Sequence, residues 1–337
     1  MARGMLADGA ALSRPTKICL LLGLLLLFFA APVRAACTLS GSNTGSFGTQ
    51  SSFVVNTTVQ STSATLSLSC DTVLNLLTSD SVTLTYISAT PAATGTRGSL
   101  RRTDVPANTD NVPVIVCGQA ACANNSEVQV GGTYTWSGAT LLGLLSSKRY
   151  DLPLYFRTVA GQNVSAGPYR VVLNFRVDWN ICSLGVAVCL AYQSGNSSPT
   201  TTLSLTVTND CTAISAPTVN FDSAPLVQNF KSVSQTVGIT CTKGSTYTVG
   251  LDNGIHPNGT VRRMASGSNF MNYEVYKSNG TDRWGSLGAE RWASGVSSSV
   301  STDGLLRSYN YVAKVLTAQT TPPAGTYTDT LVVDIAF

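Results

Sequence analysis

The chain has 337 residues, of which 43% are hydrophobic and only 11% charged, against roughly 25% charged in an average soluble domain, so it is neither disordered nor a polyelectrolyte. A formal charge of +4 without a strongly basic stretch argues against nucleic acid as a partner. The single histidine, His256, excludes zinc sites built on several histidines and leaves a Ser-His-Asp triad only that one residue. Ser, Thr, Gly and Asn stand where charges would otherwise be, as in exported β proteins whose strands carry Thr outward and Val or Leu inward.

Residues 1–35 read as a secretory signal peptide. Arg14 and Lys17 precede an apolar run from Ile18 to Ala31, which is shorter than the roughly 20 residues of a membrane span, and Val33-Arg34-Ala35 suits cleavage after Ala35. Arg3, Arg14, Lys17 and Arg34 leave with Asp8, so the charge falls from +4 to +1. Cys19 leaves too, and eight cysteines remain: Cys37, Cys70, Cys117, Cys122, Cys182, Cys189, Cys211 and Cys241. An even count after an export signal implies disulfides. Cys37 and Cys70 are 33 apart and Cys211 and Cys241 are 30 apart, which looks like one motif used twice. The close pairs Cys117/Cys122 and Cys182/Cys189 suit small stapled loops better than a zinc ribbon.

In chain order, the first alternating stretch is Thr65-Leu66-Ser67-Leu68-Ser69-Cys70. Later come the apolar segment Leu141-Leu142-Gly143-Leu144-Leu145 and a strand opened by Ala166-Gly167-Pro168-Tyr169. Along that strand Tyr169, Val171, Leu173, Phe175, Val177 and Trp179 alternate with polar residues, which predicts one buried and one solvated face. The Cys182/Cys189 loop follows, then the alternating Thr202–Thr208. After residue 208 the pattern restarts: Ser234–Cys241 alternates, Asp252-Asn253-Gly254 marks a turn, Ala324-Gly325-Thr326-Tyr327 opens a late strand, and Leu331, Val333, Ile335 and Phe337 form its apolar face. The expected fold is all-β, with two immunoglobulin-like antiparallel β-sandwich domains over residues 36–208 and 209–337. Domain one has Leu203–Val207 available as a last strand. Domain two ends inside an apolar strand, so it is expected to lack its last strand and to leave an open edge and groove.

The second half resembles the spore coat protein U-like domain found in subunits of archaic chaperone-usher pili. The residues that carry this are Cys211-Thr212-Ala213, Cys241-Thr242-Lys243-Gly244, Tyr247, Gly250-Leu251-Asp252-Asn253-Gly254, Arg262-Arg263-Met264, Tyr273, Tyr276, Trp284-Gly285 and Pro323-Ala324-Gly325-Thr326-Tyr327. The first half shares only the Cys37/Cys70 frame, Arg101-Arg102 and the Ala-Gly-x-Tyr strand. The resemblance implies an incomplete sandwich held open by a periplasmic pilus chaperone, passed to an outer-membrane usher and filled by the donor strand of the adjacent subunit. Leu331, Val333, Ile335 and Phe337 are then the acceptor-groove residues. Because the mature chain begins at Ala36-Cys37, it is expected to accept a neighbour without complementing one, and with its divergent first domain it resembles a two-domain tip adhesin exported through the periplasm to the cell surface.

Leu184, Val186 and Val188, in the loop between Cys182 and Cys189, are candidates for adhesion to an abiotic or host surface, since displayed apolar patches mark interaction sites. Leu141–Leu145 is the second such segment, with a buried strand or short core helix as its other reading. Tyr134, Trp136 and Trp179 are candidates for stacking on sugars, which would make the protein a carbohydrate-binding tip, although the strand phase of Trp179 favours core packing for that ring; a secreted coat or matrix protein is the remaining alternative. No cofactor, metal or enzymatic activity is expected.

Overall fold

Alternation of apolar and hydroxyl residues becomes strand because a period of two sends one set of side chains to each sheet face. The structure, a computed structural model, describes residues 37–41, 43–70, 79–146, 149–185, 188–278 and 280–337, so the expected signal peptide, Ala36 and Val186 lie outside the described residues. The strands of domain one are β1 (Cys37–Gly41), β2 (Thr44–Ser51), β3 (Ser61–Cys70), β4 (Ser81–Thr90), β5 (Gly98–Arg102), β6 (Asn111–Cys117), β7 (Thr133–Ser137), β8 (Leu145–Ser146), β9 (Arg149–Thr158), β10 (Gly167–Gly185), β11 (Cys189–Ser197) and β12 (Thr200–Thr208). Domain two carries β13 (Cys211–Ser215), β14 (Val233–Cys241), β15 (Thr248–Leu251), β16 (Arg262–Ser266), β17 (Asn269–Lys277), β18 (Trp292–Ala293), β19 (Ser299–Val300), β20 (Leu306–Val315) and β21 (Val333–Ala336). Short helices α1 (Ser52–Thr57) and α2 (Gly138–Leu142) interrupt domain one.

In domain one, β1-β3-β9-β6-β5 form one layer and β7-β4-β10-β12-β2 the other, with β11 on the distal half of β10. The layers meet where Tyr169 and Arg170 pair with Arg102 and Arg101. Leu66, Leu68, Leu152, Leu154 and Phe156 from the first layer and Leu84, Val171, Leu173, Leu203 and Leu205 from the second share one core. All pairings described are antiparallel except β12 with β2, which is parallel. In β12 the inward residues Leu203, Leu205 and Val207 are buried, so this strand closes the domain from within its own chain.

Domain two repeats part of this plan. The layer β13-β14-β20-β17-β16 matches β1-β3-β9-β6-β5, and β18-β15-β21 matches β7-β4-β10. Both halves tie two early strands together at the cysteines, β1 to β3 and β13 to β14: Cys37 pairs with Cys70, and Cys211 with Cys241, each as a disulfide. Closing loops of about thirty residues stabilises each domain by about 3–4 kcal/mol in the chain-entropy model. The remaining bridges are Cys117–Cys122 and Cys182–Cys189. Beyond β10, domain one continues into β12 and β2. Beyond β21, no strand follows among the described residues.

The two cores touch through polar groups. Ser52, at the start of α1, and Thr242, after β14, share a buried hydroxyl contact of 2.7 Å. Lys243 Nζ lies 2.6 Å from Asp110 Oδ1, and Asn163 Nδ2 donates to the Asp303 carbonyl. Burial acts to raise the Asp110 carboxyl, but Lys243, the Ser165 hydroxyl and N–H, and Asn108 outweigh it and hold the group at about 2.

Candidate functional site: an open groove and a displayed hairpin

The groove lies where β12 and β2 would stand if domain two matched domain one. Counted from the first cysteine of each frame, Thr44-Gly45-Ser46-Phe47 on β2 corresponds to Thr218-Val219-Asn220-Phe221. Counted from the Ala-Gly-x-Tyr motif, Tyr169, Val171, Leu173, Phe175, Val177 and Trp179 correspond to Tyr327, Asp329, Leu331, Val333, Ile335 and Phe337. Phe47 is buried, whereas Phe221 is only half-buried. Residues 216–221 and Tyr327–Val333 form opposite walls of a cavity of about 420 Å³, with Val237, Val275, Trp284 and Tyr311 along its floor. Its lining is mainly apolar because core side chains of β14, β17 and β20 have no covering strand.

A rigid polar frame supports this floor. Arg262 is fully buried, and its guanidinium donates to the carbonyls of Asp252, Leu251 and Trp284 at 2.7–2.8 Å and pairs with Glu274, which also takes Arg283 at 2.8 Å. Burial pulls the Arg262 guanidinium down from its ordinary value, while Glu274 opposes that pull. Trp284 Nε1 donates to the Val249 carbonyl, and its ring stands edge-on to Trp292 at 5.2 Å. The guanidinium nitrogens of Arg262 and the indole N–H of Trp284 thus each have an acceptor, as burial demands.

Of the four residues expected to form an acceptor face, Leu331 and Val333 line the cavity, and Ile335 packs half-buried on the core beyond it. Phe337 is 63% exposed, with its ring 6.0 Å from Tyr247. The strand predicted over Leu331–Phe337 pairs only across Val333–Ala336, through β15. The opposite wall, 216–221, went unnoticed in the sequence; the recurrence of Thr-x-x-Phe at Thr44 and Thr218 was the signal for it.

At the other end, β10 and β11 form a hairpin closed by Cys182–Cys189. Val188 is 71% and Leu190 77% exposed, and Tyr192 is also exposed. Val186 and the side chain of Leu184 fall outside the described residues. The hairpin base is pinned from beneath: buried Asp80 accepts from the Cys182 N–H at 2.8 Å and from the Tyr150 hydroxyl at 3.2 Å. Burial raises the Asp80 carboxyl, and the two donors oppose it. Leu190 and Tyr192 lie beyond the second cysteine, outside the stapled loop that the cysteine spacing marks in the sequence.

The sugar-stacking aromatics are corrected by the structure. Trp136 is 1% exposed and Trp179 8%, and Tyr134 packs edge-on against Trp136, so the rings belong to the core. Trp179 pairs across strands with Gly195, whose missing side chain lets the indole lie over the backbone. The Leu141–Leu145 segment runs from the end of α2 through a turn into β8, with Leu141 buried and Leu144 and Leu145 packed on the core. His256 is half-buried, its ring 6.1 Å from Phe270.

Comparison with known proteins follows this geometry. A comparison with curated proteins returns no match. Among solved structures, one similar chain is in the CsuC–CsuE chaperone–tip adhesion subunit pre-assembly complex from archaic chaperone-usher Csu pili of Acinetobacter baumannii. It matches 90% of this chain and 100% of that one, at 26% identity and a TM-score of 0.56. The CupB6 tip adhesin from Pseudomonas aeruginosa is a fainter likeness, at 10% identity and a TM-score of 0.35 over 89% of this chain and 94% of that one. The model of the Spore Coat Protein U domain matches twice, over residues 25–175 and 182–334, and the chain, most of whose length these matches span, belongs to that family.

Proposed function

We propose that this protein is an adhesin subunit at the tip of a chaperone-usher pilus, divided near residue 208, in which domain two accepts a donor strand and domain one meets the surface. The observation that carries the reading is the strand order: two domains of the same plan, one completed by β12 and β2, the other with no counterpart of these strands among the described residues and an apolar groove beside β21. β12 serves as the template for the missing strand. It runs antiparallel to β10 and parallel to β2, so a donor strand in domain two would run antiparallel to Tyr327–Val333 and parallel to residues 216–221. Burying about four apolar donor side chains there would contribute roughly 6–12 kcal/mol by area, on the scale of a whole domain's stability. Strand addition draws affinity from main-chain pairing and specificity from alternate side chains.

The likeness to a chaperone–tip adhesion subunit complex supports the same reading. A periplasmic chaperone would hold the groove before assembly, an outer-membrane usher would pass the subunit to the cell surface, and the neighbour's strand would replace the chaperone. The chemistry is recognition, with no catalytic step. The β10–β11 hairpin, with Val188 and Leu190 displayed, is the part offered to an abiotic or host surface in attachment and biofilm formation. Expressing the mature chain with and without a co-expressed pilus chaperone and a donor peptide tests this. Higher soluble yield and a higher melting temperature of domain two are expected, and equal melting with and without both partners would overturn it.

A further inference from the structure

Superposing the two domains through the Ala-Gly-x-Tyr motif leaves one position inside the groove out of character. Val171, fully buried in domain one and paired directly across from Leu203 of β12, corresponds to Asp329 in domain two. Asp329 lines the groove on the same inward phase as Tyr327, Leu331 and Val333. Its carboxylate is fixed: Oδ2 accepts from the Tyr273 hydroxyl at 2.6 Å and Oδ1 from the Ile255 N–H at 2.9 Å. Gly254, at φ +80°, makes room for it, since a Cβ there would collide with the carboxylate. Burial, then the Asp329 contact, push the Tyr273 hydroxyl up, so it remains a donor.

We propose that Asp329 is a specificity residue of the groove, selecting a donor strand whose side chain opposite it is a hydrogen-bond donor, a hydroxyl or an ammonium, where β12 has Leu203. This deepens the strand-accepting reading and rests on it. Residues directly opposite in an antiparallel pair have Cβ atoms about 5 Å apart, so the selected side chain touches the carboxylate. A carboxylate has about four acceptor sites, and two are filled by Tyr273 and Ile255. Covering the rest with an apolar side chain strips water from a charge without replacing it, whereas a donor group replaces the water. A site built this way rejects a partner that lacks the hydrogen bond more strongly than an apolar pocket rejects a wrong shape.

The probes are three labelled peptides of the β12 sequence, Thr200–Thr208: unaltered, with Leu203→Thr, and with Leu203→Lys, each titrated against the full mature chain by fluorescence anisotropy. The Thr and Lys peptides are expected to bind at least 10-fold more tightly than the Leu peptide. Asp329→Val in the protein reverses that order, and Asp329→Asn, which keeps the shape, removes the advantage of Lys; circular dichroism melting of each variant verifies that it is folded. Equal or tighter binding of the Leu peptide to the unaltered chain overturns the inference and leaves the strand-accepting reading standing. Binding by none of the three overturns both.

Discussion

Arg262 and Asp110 are the two charges whose burial most needs explanation, and they hold different things in place. Arg262 ties Leu251 and Trp284, both in the groove lining, to Glu274 on β17. Replacing it by Met leaves three carbonyls and part of Glu274 without their donor. Breaking one side of such a buried pair costs about 3–5 kcal/mol, so Arg262→Met should lower the unfolding free energy of domain two, read from its denaturant transition, by that amount while domain one unfolds unchanged. A loss below about 1 kcal/mol would show that Arg283 alone satisfies Glu274. The Arg262-Arg263 pair was visible in the sequence, but its burial was not. An arginine is ordinarily exposed, and only Leu251 at the end of β15, Asp252 next to it and Trp284 in the loop after β17 supply the carbonyls that pay for its desolvation.

Strand and turn were legible wherever the period of two was clean. Tyr169–Trp179 lies wholly within β10, and Thr65–Cys70 within β3, because both are paired on two sides and their apolar face has a core to meet. The same alternation over Leu331–Phe337 yields four paired residues, since pairing needs a neighbour and only β15 is present. Helix α1 was not legible: Ser52-Phe53-Val54-Val55-Asn56-Thr57 has the β-branched content of a strand, yet Ser51 accepts from the Val54 N–H and Val55 is buried. Trp136 was misjudged for a similar reason, because β4, which pairs with its strand, is distant in sequence, whereas Trp179 is buried as its strand phase predicts. At this scale the β10–β11 hairpin makes its own prediction. Val188→Ser with Leu190→Ser removes apolar side chains that are 71% and 77% exposed, so stability should change by less than about 0.5 kcal/mol. Retention of the protein on a hydrophobic surface, read by quartz-crystal microbalance, should fall several-fold; unchanged retention would move the adhesive role elsewhere on domain one.

At the scale of the whole molecule, the proposed function joins one domain to a fibre and the other to a surface, and on that reading load crosses the domain junction. That junction is small and polar: the Ser52–Thr242 hydroxyl pair, Asn163 on the Asp303 carbonyl, and Lys243 on Asp110. Its sensitivity to acid follows from the sign of one shift. Asp110 is held at about 2, against roughly 3.9 for a free aspartate, so the ionised carboxylate favours the docked form. The stabilisation is fully present above about pH 4 and is lost as pH falls towards 2. Ser165 and Asn108 lie in the same domain as Asp110 and stay bound to it when the domains part, so the share specific to docking comes from Lys243. Asp110→Asn should therefore loosen the junction at neutral pH, and Lys243→Met should do the same without disturbing the Asp110–Ser165 contacts inside domain one. With one fluorophore on each domain, the distance distribution should be narrow in the unaltered chain at pH 7, broaden between pH 4 and 2, and already be broad at pH 7 in both variants. A distribution that stays narrow in Lys243→Met would assign the docking to the Ser52–Thr242 contact instead, and Thr242→Val would then be the substitution that releases it.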